Sequence, residues 1–156
     1  MIDVRRSLNV CLAALVPLAA ILLAGCMSYM SDPIGPKPQF RAELSAADEQ
    51  PPTESAGYGV MEVRYIPTMR MLEWKLYFGK LSGPITYAFL QGPDGAGNES
   101  ADIVPINPPY PSNVHYGSVM ITEAQAADLV AGRWSVNLKT EKFPSGEISG
   151  TLVRHR

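Results

Sequence analysis

Apolar residues at every second position constrain this chain more than any other feature. Phe40, Ala42 and Leu44 alternate with Arg41 and Glu43, and Met61, Val63 and Tyr65 with Glu62 and Arg64. Leu72, Trp74, Leu76 and Phe78 alternate with Glu73, Lys75 and Tyr77, and Trp134, Val136 and Leu138 with Ser135, Asn137 and Lys139. Successive side chains of a strand point to opposite faces, so a period of two marks a strand with one face in a core and the other in water. Apolar runs at 85–90, 103–106 and 116–121, and the alternation Ile148, Gly150, Leu152, add further strands. Turn residues separate them at 79–84 and 92–95, the Pro-rich stretch 107–113 is irregular, and 46–59 reads mainly as loop. Many short strands so punctuated imply an all-β domain, an antiparallel β-sandwich of Ig-like or related architecture.

One segment breaks the period. Thr122-Glu123-Ala124-Gln125 has the spacing of a capping box, in which Thr122 caps a helix and Gln125 reaches back. Ala126, Leu129 and Val130 follow at helical spacing and Gly132 supplies a stop, so one short helix is expected here.

The strand phases also place particular side chains. Trp74 and Trp134 fall on the inner phase and are expected to be buried. In the last hairpin, pairing Leu138 with Ile148 and Val136 with Gly150 keeps both apolar sets inside, with a turn around Phe143-Pro144-Ser145-Gly146. That register sets Lys139 opposite Glu147 on the outer face, where a cross-strand ion pair is expected.

The N-terminus has a different character. Arg5 and Arg6 precede a run at 12–24 that is uncharged and apolar apart from Pro17. The run is shorter than the roughly 20 residues a spanning helix needs and reads as a signal peptide over 1–25. Leu23-Ala24-Gly25-Cys26 resembles the bacterial lipobox, which implies diacylglycerol on the Cys26 thiol, cleavage before it, and a further acyl chain such as palmitate on the new amine. Two lipid chains hold a protein on a membrane without a spanning helix. Met27, which is not Asp, favours the outer membrane where a cell has two. Residues 26–39, with Pro33, Pro36 and Pro38, read as an extended tether, and 40–156 as the domain. The only other cysteine, Cys11, lies in the signal. The mature chain carries 11 basic and 14 acidic residues, a mild acidic balance that gives no footprint for nucleic acid.

Several segments taken in order resemble the CHRD domain found in chordin and in many secreted bacterial proteins. They are Phe40-Arg41-Ala42-Glu43-Leu44, Pro51-Pro52, Leu76-Tyr77-Phe78-Gly79-Lys80-Leu81-Ser82-Gly83-Pro84, Phe89-Leu90-Gln91-Gly92-Pro93, Ile121-Thr122-Glu123-Ala124-Gln125, Val136-Asn137 with Thr140, and Pro144-Ser145-Gly146-Glu147-Ile148-Ser149-Gly150. The resemblance implies two histidines just before Gly-Pro and a third after Val-Asn. Here those positions are Phe89, Gln91 and Lys139. Phe cannot ligate, Gln is a poor ligand, and a protonated Lys repels a cation, so any metal role of the family is in doubt in this chain.

Other constellations are weak. His115, beside the Pro-rich loop, and His155, near the C-terminus, are expected to be exposed and inert. There is no Gly-x-Ser-x-Gly elbow and no Cys–His pair. The glycines at 92–97 precede no helix and read as a turn and not a phosphate cradle. Asp94, Glu99 and Asp102 read as a solvated acidic loop in preference to a calcium site. Gln91 and Asp94 mark a candidate binding loop. Tyr58, Tyr77, Tyr87, Tyr110 and Tyr116 are candidates for a binding face or for ordinary sheet packing.

Two functional readings stand at this point. The first is a non-catalytic, envelope-anchored lipoprotein that binds or supports, with membrane lipid through Cys26 and an envelope protein or extracellular ligand as partners. It needs no cofactor, no metal and no nucleic acid. The second is a metal-binding or redox envelope protein related to superoxide dismutase-like sandwiches, which would need histidine ligands that the sequence lacks.

Overall fold

The computed structural model describes residues 38–96, 98–110 and 113–155; the signal peptide over 1–25, Cys26 and almost all of the 26–39 tether lie outside the described residues. The alternating segments form antiparallel strands: β1 (Phe40–Ser45), β2 (Tyr58–Ile66), β3 (Met71–Gly79), β4 (Ile85–Gly92), β5 (Ala101–Pro105), β6 (Val114–Met120), β7 (Ser135–Thr140), β8 (Ile148–Thr151) and β9 (Val153–Arg154). The helix α1 (Glu123–Val130) carries both halves of the capping box, with Thr122 and Gln125 each bonding the other's backbone. Past its end, Gly132 adopts a φ of +74, which glycine tolerates without strain.

The strands bond into one sheet in the order β5-β4-β7-β8-β1-β2-β3-β6, with β9 on β1. The all-β antiparallel expectation therefore holds, and the sandwich is a single sheet curled on itself. Leu90, Val104, Val136 and Leu138 from one half share a core with Met61, Val63, Leu72 and Leu76 from the other.

The sheet turns the corner at β1. This strand pairs with β2 along its whole length, yet meets β8 only at Ser45↔Ser149. A Cβ on Gly150 would lie 2.0 Å from the Glu43 carbonyl oxygen. Backbone packs directly on backbone there, an approach only glycine allows.

Both tryptophans are buried, Trp74 at 3% exposure and Trp134 at 0%. Trp74 Nε1–H donates to His115 Nδ1 at 3.4 Å, and His115 Nε2 stands 2.9 Å from the Asn107 carbonyl oxygen. With Nδ1 accepting, the proton sits on Nε2 and is donated to that carbonyl. The expectation of an exposed, inert His115 is thus corrected. β6 begins two residues earlier than the apolar run suggested, which puts His115 on the inner phase opposite Leu76. His155 is exposed.

The last hairpin has the expected register, Leu138↔Ile148 and Val136↔Gly150. The expected Lys139–Glu147 ion pair is overturned. β8 starts at Ile148, so Glu147 lies just outside the regular alternation and turns inward, with no exposed surface. Ser55 Oγ and the Ser82 backbone N–H donate to its Oε1 at 2.5 and 2.7 Å, and Thr140 Oγ1 and Ser82 Oγ to its Oε2 at 2.5 and 2.8 Å. The Thr53 hydroxyl donates to its carbonyl at 2.9 Å. Lys139 reaches instead to Asp102, at 3.5 Å. Desolvation pushes the Glu147 carboxyl up, but the hydrogen bonds from Ser55, Thr140 and Ser82 outweigh it and hold the group below the ordinary value of 4.5.

Two outcomes follow. Gly150→Ala should cost on the order of 1–3 kcal/mol, read as a lowered denaturation midpoint. Glu147→Gln should cost on the order of 3 kcal/mol at pH 7 by putting amide hydrogens against hydroxyl and N–H donors. Because the folded pKa is depressed, the carboxylate's contribution is complete above 4.5 and is lost as pH falls through the folded value. Chemical denaturation from pH 7 to pH 2 should therefore show a smaller acid loss in Glu147→Gln than in wild type, and equal slopes would contradict this account.

Candidate functional site

The outward faces of β4, β7, β8 and β5 form the polar side of one half of the sheet. On β4 the side chains of Tyr87, Phe89 and Gln91 share this face. The register sets them against Lys139, Asn137 and Ser135 of β7. Ser149 of β8 lies opposite Asn137, and Asp102 of β5 opposite Gln91. Positions 89, 91 and 139, distant in sequence, are thereby brought onto one surface. Gln91 Nε2 donates to Asp102 Oδ1 at 2.7 Å, and Lys139 Nζ approaches Asp102 Oδ2 while lying 5.4 Å from the centroid of the Phe89 ring. Asp102 is partly exposed, so the pair contributes well under about 1 kcal/mol and acts chiefly to fix where the ammonium sits.

A second layer covers part of this face. The chain leaves β1 through a 3-10 turn at Ala46–Asp48 and then lays Glu49 across β7 and β8. Asn137 Nδ2 donates to Glu49 Oε2 at 3.3 Å, and the Ser149 side chain also bonds the carboxyl. Glu49 is 6% exposed and Asn137 7%. Among the described residues, no donor reaches Glu49 Oε1 or Asn137 Oδ1. Desolvation raises the Glu49 carboxyl above its ordinary value; Ser149, Asn137 and the Lys139 charge pull it down, and Asp48 pushes it further up. Beside it opens a cavity of about 880 Å³, lined by Asp48, Glu49, Gln91, Asn137, Ser149 and Thr151 among others.

Asp94 is not part of this surface. Its Oδ1 accepts from the Ala96 and Asn98 backbone N–H groups at 2.7 and 3.2 Å, so it closes its own turn, apart from Gln91. Asp102 is engaged by Gln91 and Lys139. Among the described residues, no group of three or more His, Cys, Asp or Glu stands where it could hold a metal ion. The tyrosines do not share one face: Tyr77 and Tyr116 flank Lys75, Tyr87 stacks on Phe89, and the Tyr110 hydroxyl bonds the Ile106 carbonyl. Glu49 was not singled out in the sequence. It lies in a stretch read as loop, and its partner Asn137 is 88 residues away.

The most elaborated surface of this all-β domain is thus built from amides, hydroxyls and carboxylates, the groups of a polar binding face. Residues 40–152 match the CHRD domain, and the chain belongs to that family. No curated protein and no solved structure matches the chain.

A raised folded pKa means that the fold favours the protonated acid. For Glu49 that favourable state is fully present below 4.5 and lost as pH rises through the folded value, so the buried carboxyl costs stability at neutral pH relative to acid. Glu49→Gln should therefore raise stability at pH 7, on the order of 1 kcal/mol, and leave it nearly unchanged at pH 3. Thermal melts at the two pH values check this, and a loss of stability at pH 7 would contradict it.

Proposed function

We propose that the protein is a non-catalytic module of the bacterial cell envelope, anchored through lipid on Cys26, that binds a ligand or partner through the β4–β7–β8 face. The observation that carries the binding half is the convergence of Phe89, Gln91 and Lys139 beside a polar cavity with two unsatisfied buried acceptors. These side chains recognise by hydrogen bond, charge and ring face. They offer no imidazole to a metal, which weighs for this reading over a metal-dependent one. Leu23-Ala24-Gly25-Cys26, at the end of an uncharged apolar run, supports the anchor. The Pro-rich 26–39 segment would hold the domain off the membrane, and Met27 supports the outer membrane where there are two.

Metabolic labelling with radioactive palmitate tests the anchor. The wild-type protein should take up label and enter the detergent phase of a cloud-point extraction. Cys26→Ser should take up none. An unlabelled wild-type protein that stays in the aqueous phase would refute the proposal.

A further inference from the structure

Two buried carboxylates pack against this half of the sheet, and only one has a donor on each oxygen. Glu147 has four donors. Glu49 keeps an oxygen without any, next to an Asn137 carbonyl oxygen in the same condition, although both residues are more than nine-tenths buried and line the cavity. A buried acceptor without a donor is destabilising, so the pair calls for a group that brings hydrogens.

We propose that this cavity binds a small organic ammonium compound, an amino sugar or amino alcohol, whose N–H groups satisfy Glu49 and Asn137. The proposal rests on reading this face as a binding surface. An ammonium group carries three donors and no acceptor, the complement of two acceptor oxygens. The charge agrees: the lining holds the carboxyls of Asp48 and Glu49 and no Lys or Arg. Lys139 acts on Glu49 from the sheet, but its ammonium is drawn toward Asp102. Ser100, Ser135, Ser145, Ser149 and Thr151 line the same space and suit a hydroxylated ligand. A volume of about 880 Å³ is ample for one sugar ring. A divalent cation is a poorer match, because the lining offers two carboxylates and Asp48 already accepts from Ser45 Oγ at 2.7 Å. The free oxygens have no solvent contact, so ligand entry requires both the Glu49 and Asn137 side chains to turn toward the cavity. Burial holds the Glu49 carboxyl above its ordinary value, so a bound cation favours the carboxylate and affinity falls as pH is lowered through the folded value.

The test is a titration of the full-length, isotope-labelled protein in detergent micelles with glucosamine, and with glucose as its neutral counterpart, followed by NMR. The Asn137 side-chain amide and the Ser149 backbone amide should shift saturably with glucosamine. Glucose should bind at least tenfold more weakly. Glu49→Gln, checked as folded by its thermal melt, should lose at least tenfold in affinity, and wild-type affinity should be higher at pH 6.5, where the glucosamine amine is still protonated, than at pH 4. Absence of saturation would overturn the proposal and assign the two oxygens to water only. Equal response to glucose, or unchanged affinity in Glu49→Gln, would overturn it in favour of a neutral site. A palmitate-labelled protein that ignores glucosamine overturns the ligand class alone, and an unlabelled one that binds it overturns the anchor alone.

Discussion

The Glu147 carboxylate is the interaction on which the rest of the domain depends. It gathers donors from the segment before β2, from the turn between β3 and β4, and from the end of β7. Those pieces belong to both halves of the curled sheet, so one anion fastens the two halves at a point where no strand ladder joins them. A charge so placed would be ruinous without partners and is strongly structural with them. It also explains why the hairpin departs from simple alternation. Glu147 gives up the outer position that faces Lys139 and takes an inner one where hydroxyls wait.

Lys139, released from that role, turns to Asp102 and helps to order the polar face. The contrast between the two buried glutamates then acquires meaning. Glu147 is saturated and belongs to the architecture. Glu49 is covered by its own loop but under-satisfied, and a buried polar atom in that condition calls for an explanation that the architecture alone does not supply. Burial raises one acid and hydrogen bonding lowers the other, although both lie within one small domain.

Much of this was legible from period and punctuation. The phase of Trp134, Val136 and Leu138 against Ile148, Gly150 and Leu152 was enough to give the register, because a one-residue slip would put apolar side chains in water. Thr122 and Gln125 identify the helix start by local chemistry alone. What could not be read depends on contacts remote in sequence. His115 is polar and follows a Pro-rich loop, so nothing local marks it as an inner residue held by Trp74. The alternation predicts an outer Glu147, and the donors at 55 and 82 that hold it inward are remote in sequence. Glu49 and Asn137 meet only because β1 hands the chain back across β7 and β8. The expected N-terminal signal and the expected lipid site at Cys26 are matters of sequence alone, since they lie outside the described residues.

The curled sheet does not close on itself, and its margin at β5 bears on how such molecules coexist when crowded. The Ile106 N–H donates to the Ala88 carbonyl oxygen, so the preceding nitrogen, that of Pro105, faces away from β4. It has no hydrogen to offer. A neighbouring molecule seeking to add a strand along this short border meets a gap in the row of donors, and prolines again at 108 and 109. Such interruptions keep exposed sheet borders from polymerising edge to edge. The β5 border thus presents an incoming strand with an interrupted row of donors.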